Sequence, residues 1–154
     1  MENNCTIRAY ENNDLPQVLH LIELNTPAYF APEEIDDFKK YLATERELYY
    51  IILIDHKIVG CGGINFDNEY LSAKISWDII HPDYHGKSFG KKLLNFRIEK
   101  LITMKSIKEI TVRTSQLTNH FYEKQGFELF EIIKDYWAKG YDLYNMKYSL
   151  DYKK

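Results

Sequence analysis

Apolar residues along the chain switch between a spacing of two and a spacing near 3.6, and each switch marks an element. Cys5–Tyr10 reads as a first strand. Asn12, Asn13 or Asp14 then offers a helix N-cap before Leu15, Val18, Leu19 and Ile22, which share one helical side. Asn25-Thr26-Pro27 stops that helix. Glu33–Ala43 reads as a second helix, with acids in its first turn and Ile35, Phe38, Tyr41 and Leu42 on its apolar side. Leu48–Ile54 and Ile58–Phe66 are β-rich runs joined tightly by Asp55-His56-Lys57, the pattern of an antiparallel hairpin. Gly60, Gly62 and Gly63 in the second run mark a bulge or a close approach to the backbone. A third run, Leu71–Ile80, ends at His81-Pro82. Helical spacing returns with Phe89, Leu93, Leu94, Ile98 and Leu101, so a helix starts near Ser88. Ile107–Arg113 reads as a strand and Leu117–Lys124 as a short helix closed by Gly126. Phe127–Ile133 and Tyr141–Tyr148 are the last strands, joined through residues 134–140.

Three hairpin-length connections exclude a purely parallel sheet, so the order of elements predicts an α+β fold with a mixed sheet covered by helices. The 154 residues, 45% of them hydrophobic, suit one domain over 1–154 with a core that needs neither disulfide nor metal. With a net charge of −3 and lysines scattered among acids, the chain lacks the continuous basic surface that nucleic acid requires. Cys5 and Cys61 lie in apolar strand-like runs and read as buried free thiols of a reducing compartment. The first residues carry no leader pattern and no segment approaches a membrane span, so a cytoplasmic protein without membrane contact is expected.

The sharpest local feature is the run from Trp77 to Leu93. A strand leads into a turn of small and polar residues that opens directly into a helix. Unpaired backbone N–H groups and the positive end of the helix dipole then face one spot, which is an anion site of a size to suit a diphosphate. Gly86 and Gly90 let the backbone curl and the ligand come close, and Lys87, Lys91 and Lys92 add charge around the rim. The run is neither a GxxxxGK[ST] loop nor a GxGxxG fingerprint, and on spacing alone an ordinary turn is the commoner explanation.

Ile80-His81-Pro82-Asp83-Tyr84-His85-Gly86-Lys87-Ser88-Phe89-Gly90 resembles the acetyl-CoA signature V-x-P-x-x-[QR]-G-x-G-x-[GA] of the GCN5-related N-acetyltransferase (GNAT) superfamily. Phe121-Tyr122-Glu123-Lys124-Gln125-Gly126-Phe127 is similar to that family's second signature, FYEKxGF, and lies one helix-strand-helix interval downstream. The resemblance covers Thr6 to about Leu150. It implies a mostly antiparallel six- to seven-stranded sheet flanked by about four helices, with acetyl-CoA as co-substrate and no metal. His85 replaces the usual Gln or Arg and Ser88 replaces the central glycine, so the diphosphate site is expected to be reshaped. By resemblance, the backbone of Ile79, Ile80 and His81 faces the pantetheine arm and acetyl carbonyl. His85, Gly86, Lys87, Ser88, Phe89, Gly90 and Lys91 wrap the diphosphate, while Gln116 and Asn119 are nearby polar candidates to contact the pantetheine or the substrate, with a helix cap as the equal alternative for either.

Direct attack of an amine on the thioester needs a neutral amine, a donor for the carbonyl oxygen and help for the departing thiolate. Tyr122 occupies the family's thiol-protonating position; periodicity alone makes it a core aromatic. Asp78 lies two residues before Ile80. On a regular strand Ser76, Asp78 and Ile80 share one face, so Asp78 is the first candidate base, with a salt bridge as its duller alternative. Glu69 is the second choice, while His81 and His85 lie too close to the cofactor loop to be assigned. Substrate selection in the family comes from the N-terminal helices and the last hairpin. Here these offer Tyr29, Phe30, Glu33, Glu34, Asp36 and Asp37 on one side, and Tyr136, Trp137, Tyr141, Asp142 and Tyr144 on the other. Acids and aromatics together suit a cationic amine or a small amine-bearing metabolite, through charge pairing and cation-π contacts. A protein or peptide N-acetyltransferase, and an acetyl-CoA-binding module without catalysis, remain the alternatives. Exposed strand edges leave a homodimer open.

Overall fold

The computed structural model describes residues 4–67, 69–148 and 150. Seven strands form one sheet: β1 (Cys5–Ala9), β2 (Leu48–Ile54), β3 (Lys57–Asp67), β4 (Ser72–Ile80), β5 (Glu109–Thr114), β6 (Phe127–Ala138) and β7 (Tyr141–Tyr148). Their spatial order is β1-β2-β3-β4-β5-β7-β6, and only β4 and β5 run parallel. Helices α1 (Leu15–Leu24) and α2 (Glu34–Lys40) pack on one face of the sheet, and α3 (Phe89–Ile102) and α4 (Asn119–Lys124) on the other. This is the α+β fold with a mixed sheet that the element order predicts, mostly antiparallel as the resemblance implies.

Helices on both faces explain why β2, Leu-Tyr-Tyr-Ile-Ile-Leu-Ile, is apolar throughout instead of alternating. Tyr50, Ile52 and Ile54 join Leu93, Leu94, Ile98 and Leu101 of α3 in one core layer. Tyr49, Ile51 and Leu53 join Val18, Leu21 and Ile22 of α1 and Phe38 of α2 in the other. The β2–β3 turn places Asp55 and His56 at φ 47 and 71°, the left-handed pair of a two-residue hairpin.

Two features differ from the expected layout. β6 continues to Ala138, well past Ile133, so the predicted 134–140 connection shrinks to a tight turn at Lys139-Gly140. Asp135 at φ 55° and a register shift between Ile133 and Ala138 break the alternation there, which hides the strand from a period-two reading. In β4, Trp77 takes φ 49°, and the pairing with β3 slips between Cys61 and Gly63. The bulge adds one residue to one side of the strand. Asp78 and Ile80 therefore share a face as expected, but Ser76 turns with Trp77 and Ile79 toward α1 and α2. Trp77 lies 5.1 Å from Phe38 and 6.1 Å from Tyr41 between ring centroids, and the Tyr49 hydroxyl donates to the Trp77 carbonyl at 2.8 Å.

Candidate active site

β4 and β5 pair only from Ser72 with Glu109 to Ile75 with Val112, although β4 runs on to Ile80. Beyond Ile75 the two strands part, and their unpaired ends open a cleft of about 820 Å³. It is lined by Ser76 to Ile80 of β4, Arg113 and Thr114 of β5 with Ser115 just after it, the loop before α3, Tyr122 of α4, and Tyr29, Phe30, Glu34 and Tyr41 from the α1–α2 side. Trp137 closes it from the β6–β7 hairpin, with its indole N–H donating to the Thr114 carbonyl at 3.1 Å. The Tyr141 hydroxyl bonds the Pro27 carbonyl at 2.8 Å, tying that hairpin to the α1–α2 loop.

At one end lies the loop into α3. Gly86 and Ser88 both take left-handed backbone, at φ 73 and 72°. That conformation costs a residue with a Cβ roughly 1–2 kcal/mol, which is the reason a glycine is expected at position 88. Backbone hydrogen bonds engage the amides of Tyr84, His85 and Lys92, and the His81 ring accepts from the Asp83 amide. From Gly86 to Lys91 no amide has an acceptor among the described residues. A row of free donors at the positive end of a 14-residue helix can receive an anion such as a diphosphate.

Several predicted contacts fall elsewhere. The His81 amide donates to the Val59 carbonyl at 2.8 Å and so cannot face a pantetheine arm; Ile79 and Ile80 do line the cleft. Gln116 is clamped at both ends by the hairpin, donating to Gly140 O at 2.7 Å and accepting from Asp142 N at 2.9 Å. Asn119 is buried at the start of α4, and Lys87 and Phe89 lie outside the cleft lining. Glu69 is exposed in the β3–β4 turn, away from the cleft. His85, Gly86, Ser88, Gly90 and Lys91 do line it, and the His85 ring is held 2.8 Å from the Ile80 carbonyl and edge-on to Tyr29.

At the cleft floor Tyr122 is 5% exposed, and its hydroxyl donates to Asp78 Oδ2 at 2.6 Å. Burial, then the Asp78 charge beside it, raise the phenol well above its ordinary pKa, so it stays protonated. Asp78 Oδ1 lies 2.6 Å from Nη1 of Arg97, a fully buried side chain on α3. Sequence reasoning passed over Arg97, although its signal was present: it sits four residues from both Leu93 and Leu101, in the middle of an apolar stripe. A cation there must find a buried partner.

Of the four acids predicted on the N-terminal helices, Glu33, Asp36 and Asp37 are exposed and Glu34 lines the cleft, as does Glu45 further along the same helical stretch. Glu34 Oε2 accepts from the Ala31 amide at 2.9 Å, and burial followed by the nearby Asp37 and Glu33 charges raises the Glu34 pKa to about 7. The folded protein then holds a proton that the unfolded chain has already lost between about pH 4.5 and 7. This contribution to stability is present at low pH and disappears as pH rises through that window. Glu34→Gln protein is accordingly expected to gain thermal stability over wild type as pH rises from 5 to 8. Parallel melting curves across that range would contradict it.

Two cations on the same face as Trp77 also escaped sequence reasoning. Lys74 and Arg113 line the cleft from adjacent strands, and no carboxylate pairs with either among the described residues. Arg113 donates to the Tyr136 hydroxyl at 2.5 Å and lies 4.9 and 5.6 Å from the Tyr136 and Trp137 ring centres. Among the described residues no group of three or more His, Cys, Asp or Glu is placed to hold a metal, and no helix is long and apolar enough to cross a membrane.

The sequence profile of the Acetyltransferase (GNAT) family matches residues 15–127. An amino-acid acetyltransferase of Pasteurella multocida is 31% identical over 132 residues, which are 86% of this chain and 29% of that protein. The chain thus spans under a third of the length of this relative. The ribosomal-protein-S18-alanine N-acetyltransferase of Escherichia coli superposes with a TM-score of 0.77 at 20% identity, covering 94% of this chain and 93% of that one. The N-acetylglutamate synthase of Neisseria gonorrhoeae, solved with coenzyme A and N-acetyl-glutamate, gives 0.69 at 17% identity over 96% of this chain and 35% of its own.

Proposed function

Because the chain belongs to the GNAT acetyltransferase family, we propose that it moves the acetyl group of acetyl-CoA to the primary amine of a small metabolite by direct attack in a ternary complex. The observation that carries this reading is the row of unpaired amides from Gly86 to Lys91 at one end of a cleft whose floor holds a buried phenol. The amides take the diphosphate of acetyl-CoA, and the thioester lies along the free edge of β4 beside Ile79 and Ile80.

The amine attacks the thioester carbon, the C–S bond breaks, and one amine proton has to leave while the sulfur gains one. Tyr122 is placed to serve the sulfur. Its phenol is a weak acid here, since a phenolate beside the Asp78 carboxylate is what its raised pKa resists. Its one proton, donated to Asp78 at rest, has to turn to sulfur as the C–S bond breaks and be replaced from the attacking nitrogen, so the phenol acts as a shuttle. For a free amine of pKa about 10, only roughly one molecule in a thousand is neutral at pH 7, so desolvation in the aromatic-walled cleft must favour the neutral form.

Lys74 and Arg113, free of carboxylate partners, favour an acceptor that carries a carboxylate as well as its amine, and the relative from Pasteurella multocida is an amino-acid acetyltransferase. The Tyr141–Pro27 tie narrows the opening against a peptide chain. Free-thiol release from acetyl-CoA, followed with amino acids, polyamines, aminoglycosides and short peptides, is expected to be fastest with an amino acid, and Lys74→Met is expected to raise KM for that acceptor. Coenzyme A uptake by calorimetry without thiol release for any amine would leave a binding module instead. Fastest release with a peptide would make the chain a protein acetyltransferase.

A further inference from the structure

Arg97 is the largest side chain in the fold with no solvent exposure, and none of the steps above uses it. Its Nε donates to Leu93 O at 3.2 Å and its Nη1 to Gly63 O at 2.9 Å, while Nη1 also lies 2.6 Å from Asp78 Oδ1. The strand opposite leaves room for this pair: a Cβ on Gly62 would stand 2.3 Å from Asp78 Oδ1 and 2.9 Å from Arg97 Nη1. Leucine at position 97 would complete the apolar stripe of α3 without any buried charge, so packing alone does not call for arginine.

One carboxylate oxygen of Asp78 accepts from the Tyr122 hydroxyl and the other lies against Arg97 in an ion pair, with no hydrogen bond among the described residues, and its side chain is only 15% exposed. A carboxylate so held is poorly placed to collect a proton from an incoming amine. Without Arg97 that carboxylate would lose its counterion and, with it, what fixes its position beside the phenol.

We infer that Arg97 is a positioning residue, which fixes Asp78 so that Asp78 holds the Tyr122 phenol oxygen in place at the cleft floor, from where its O–H turns to sulfur, and that Asp78 acts through Tyr122 and not as the base. The inference rests on Tyr122 serving the departing sulfur. Arg97→Met alone strands a buried carboxylate, so the informative protein is the charge-balanced R97M/D78N. It is expected to fold, to bind coenzyme A with wild-type affinity, and to show a kcat roughly tenfold lower at unchanged KM. In a Tyr122→Phe background the same two substitutions are expected to lower kcat no further, and Arg97→Lys, which keeps the charge, is expected to restore part of the rate. Wild-type kcat in R97M/D78N, or an equal loss in the Tyr122→Phe background, would overturn the inference; the latter would return Asp78 to the role of base. Should wild-type protein acetylate no amine, the functional reading fails, but the network is still read directly. The Cζ resonance of Tyr122 in ¹³C-tyrosine-labelled protein is expected to move in Asp78→Asn, and an unmoved resonance would refute the clamp.

Discussion

Tyr122→Phe protein is expected to take up coenzyme A as the wild type does and to release thiol from acetyl-CoA, with the best amine, on the order of 10²-fold more slowly, the usual weight of a positioned proton donor. The substitution keeps the ring, which packs 5.0 Å from Phe121 and 5.6 Å from Phe127 between centroids, and removes one O–H. The loss should fall on kcat, because the hydroxyl serves sulfur only as the C–S bond breaks and contributes little to ground-state binding. The phenol is held protonated by burial and by Asp78, so no alkaline limb of the wild-type rate near neutral pH should belong to it. Removing the hydroxyl also leaves Asp78 Oδ2 without its donor, at a cost of about 1–3 kcal/mol. Stability must therefore be measured on the same sample, at a temperature where both proteins are folded. A Tyr122→Phe enzyme with wild-type kcat would take the phenol out of the mechanism and leave it as the core aromatic that periodicity alone suggests.

The largest effect on stability is expected at Arg97. Arg97→Met should destabilise the fold by about 3–5 kcal/mol, seen as a lower urea midpoint, because it leaves the Asp78 charge buried without its counterion. The loss is one of unpaired charge and not of packing. Adding Asp78→Asn should return most of the stability, since an ion pair replaced on both sides is often nearly neutral. Two atoms of the wild-type pair, Asp78 Oδ1 and Arg97 Nη2, have no hydrogen-bond partner among the described residues, so the pair is itself an imperfect solution to burial. An unchanged midpoint in Arg97→Met, or no recovery in the double variant, would show that the contact carries little energy.

Local pattern was enough for most of the architecture. β2 and β7 fall on their predicted bounds, α3 begins one residue after Ser88, and the strand-turn-helix run before it holds the free amides that its composition suggests. These features depend on periodicity and on turn and cap chemistry, which act between neighbours in sequence. β6 was read too short because a bulge and a left-handed Asp135 break its alternation.

What needed the tertiary structure was everything set by pairing across the sheet. The bulge at Trp77 decides that Asp78 faces α3 while Ser76 faces α2, and a single inserted residue reverses the face of every side chain on one side of it. Arg97 is 19 residues from Asp78 and Tyr122 is 44 from it, yet the three meet within hydrogen-bond and ion-pair distance because Gly62 leaves the space. Sequence thus determined the fold class, the loop with its free amides and the phenol. The partner of each charge was decided only when the strands closed, because burial turns an ordinary surface carboxylate into a group that must be paired.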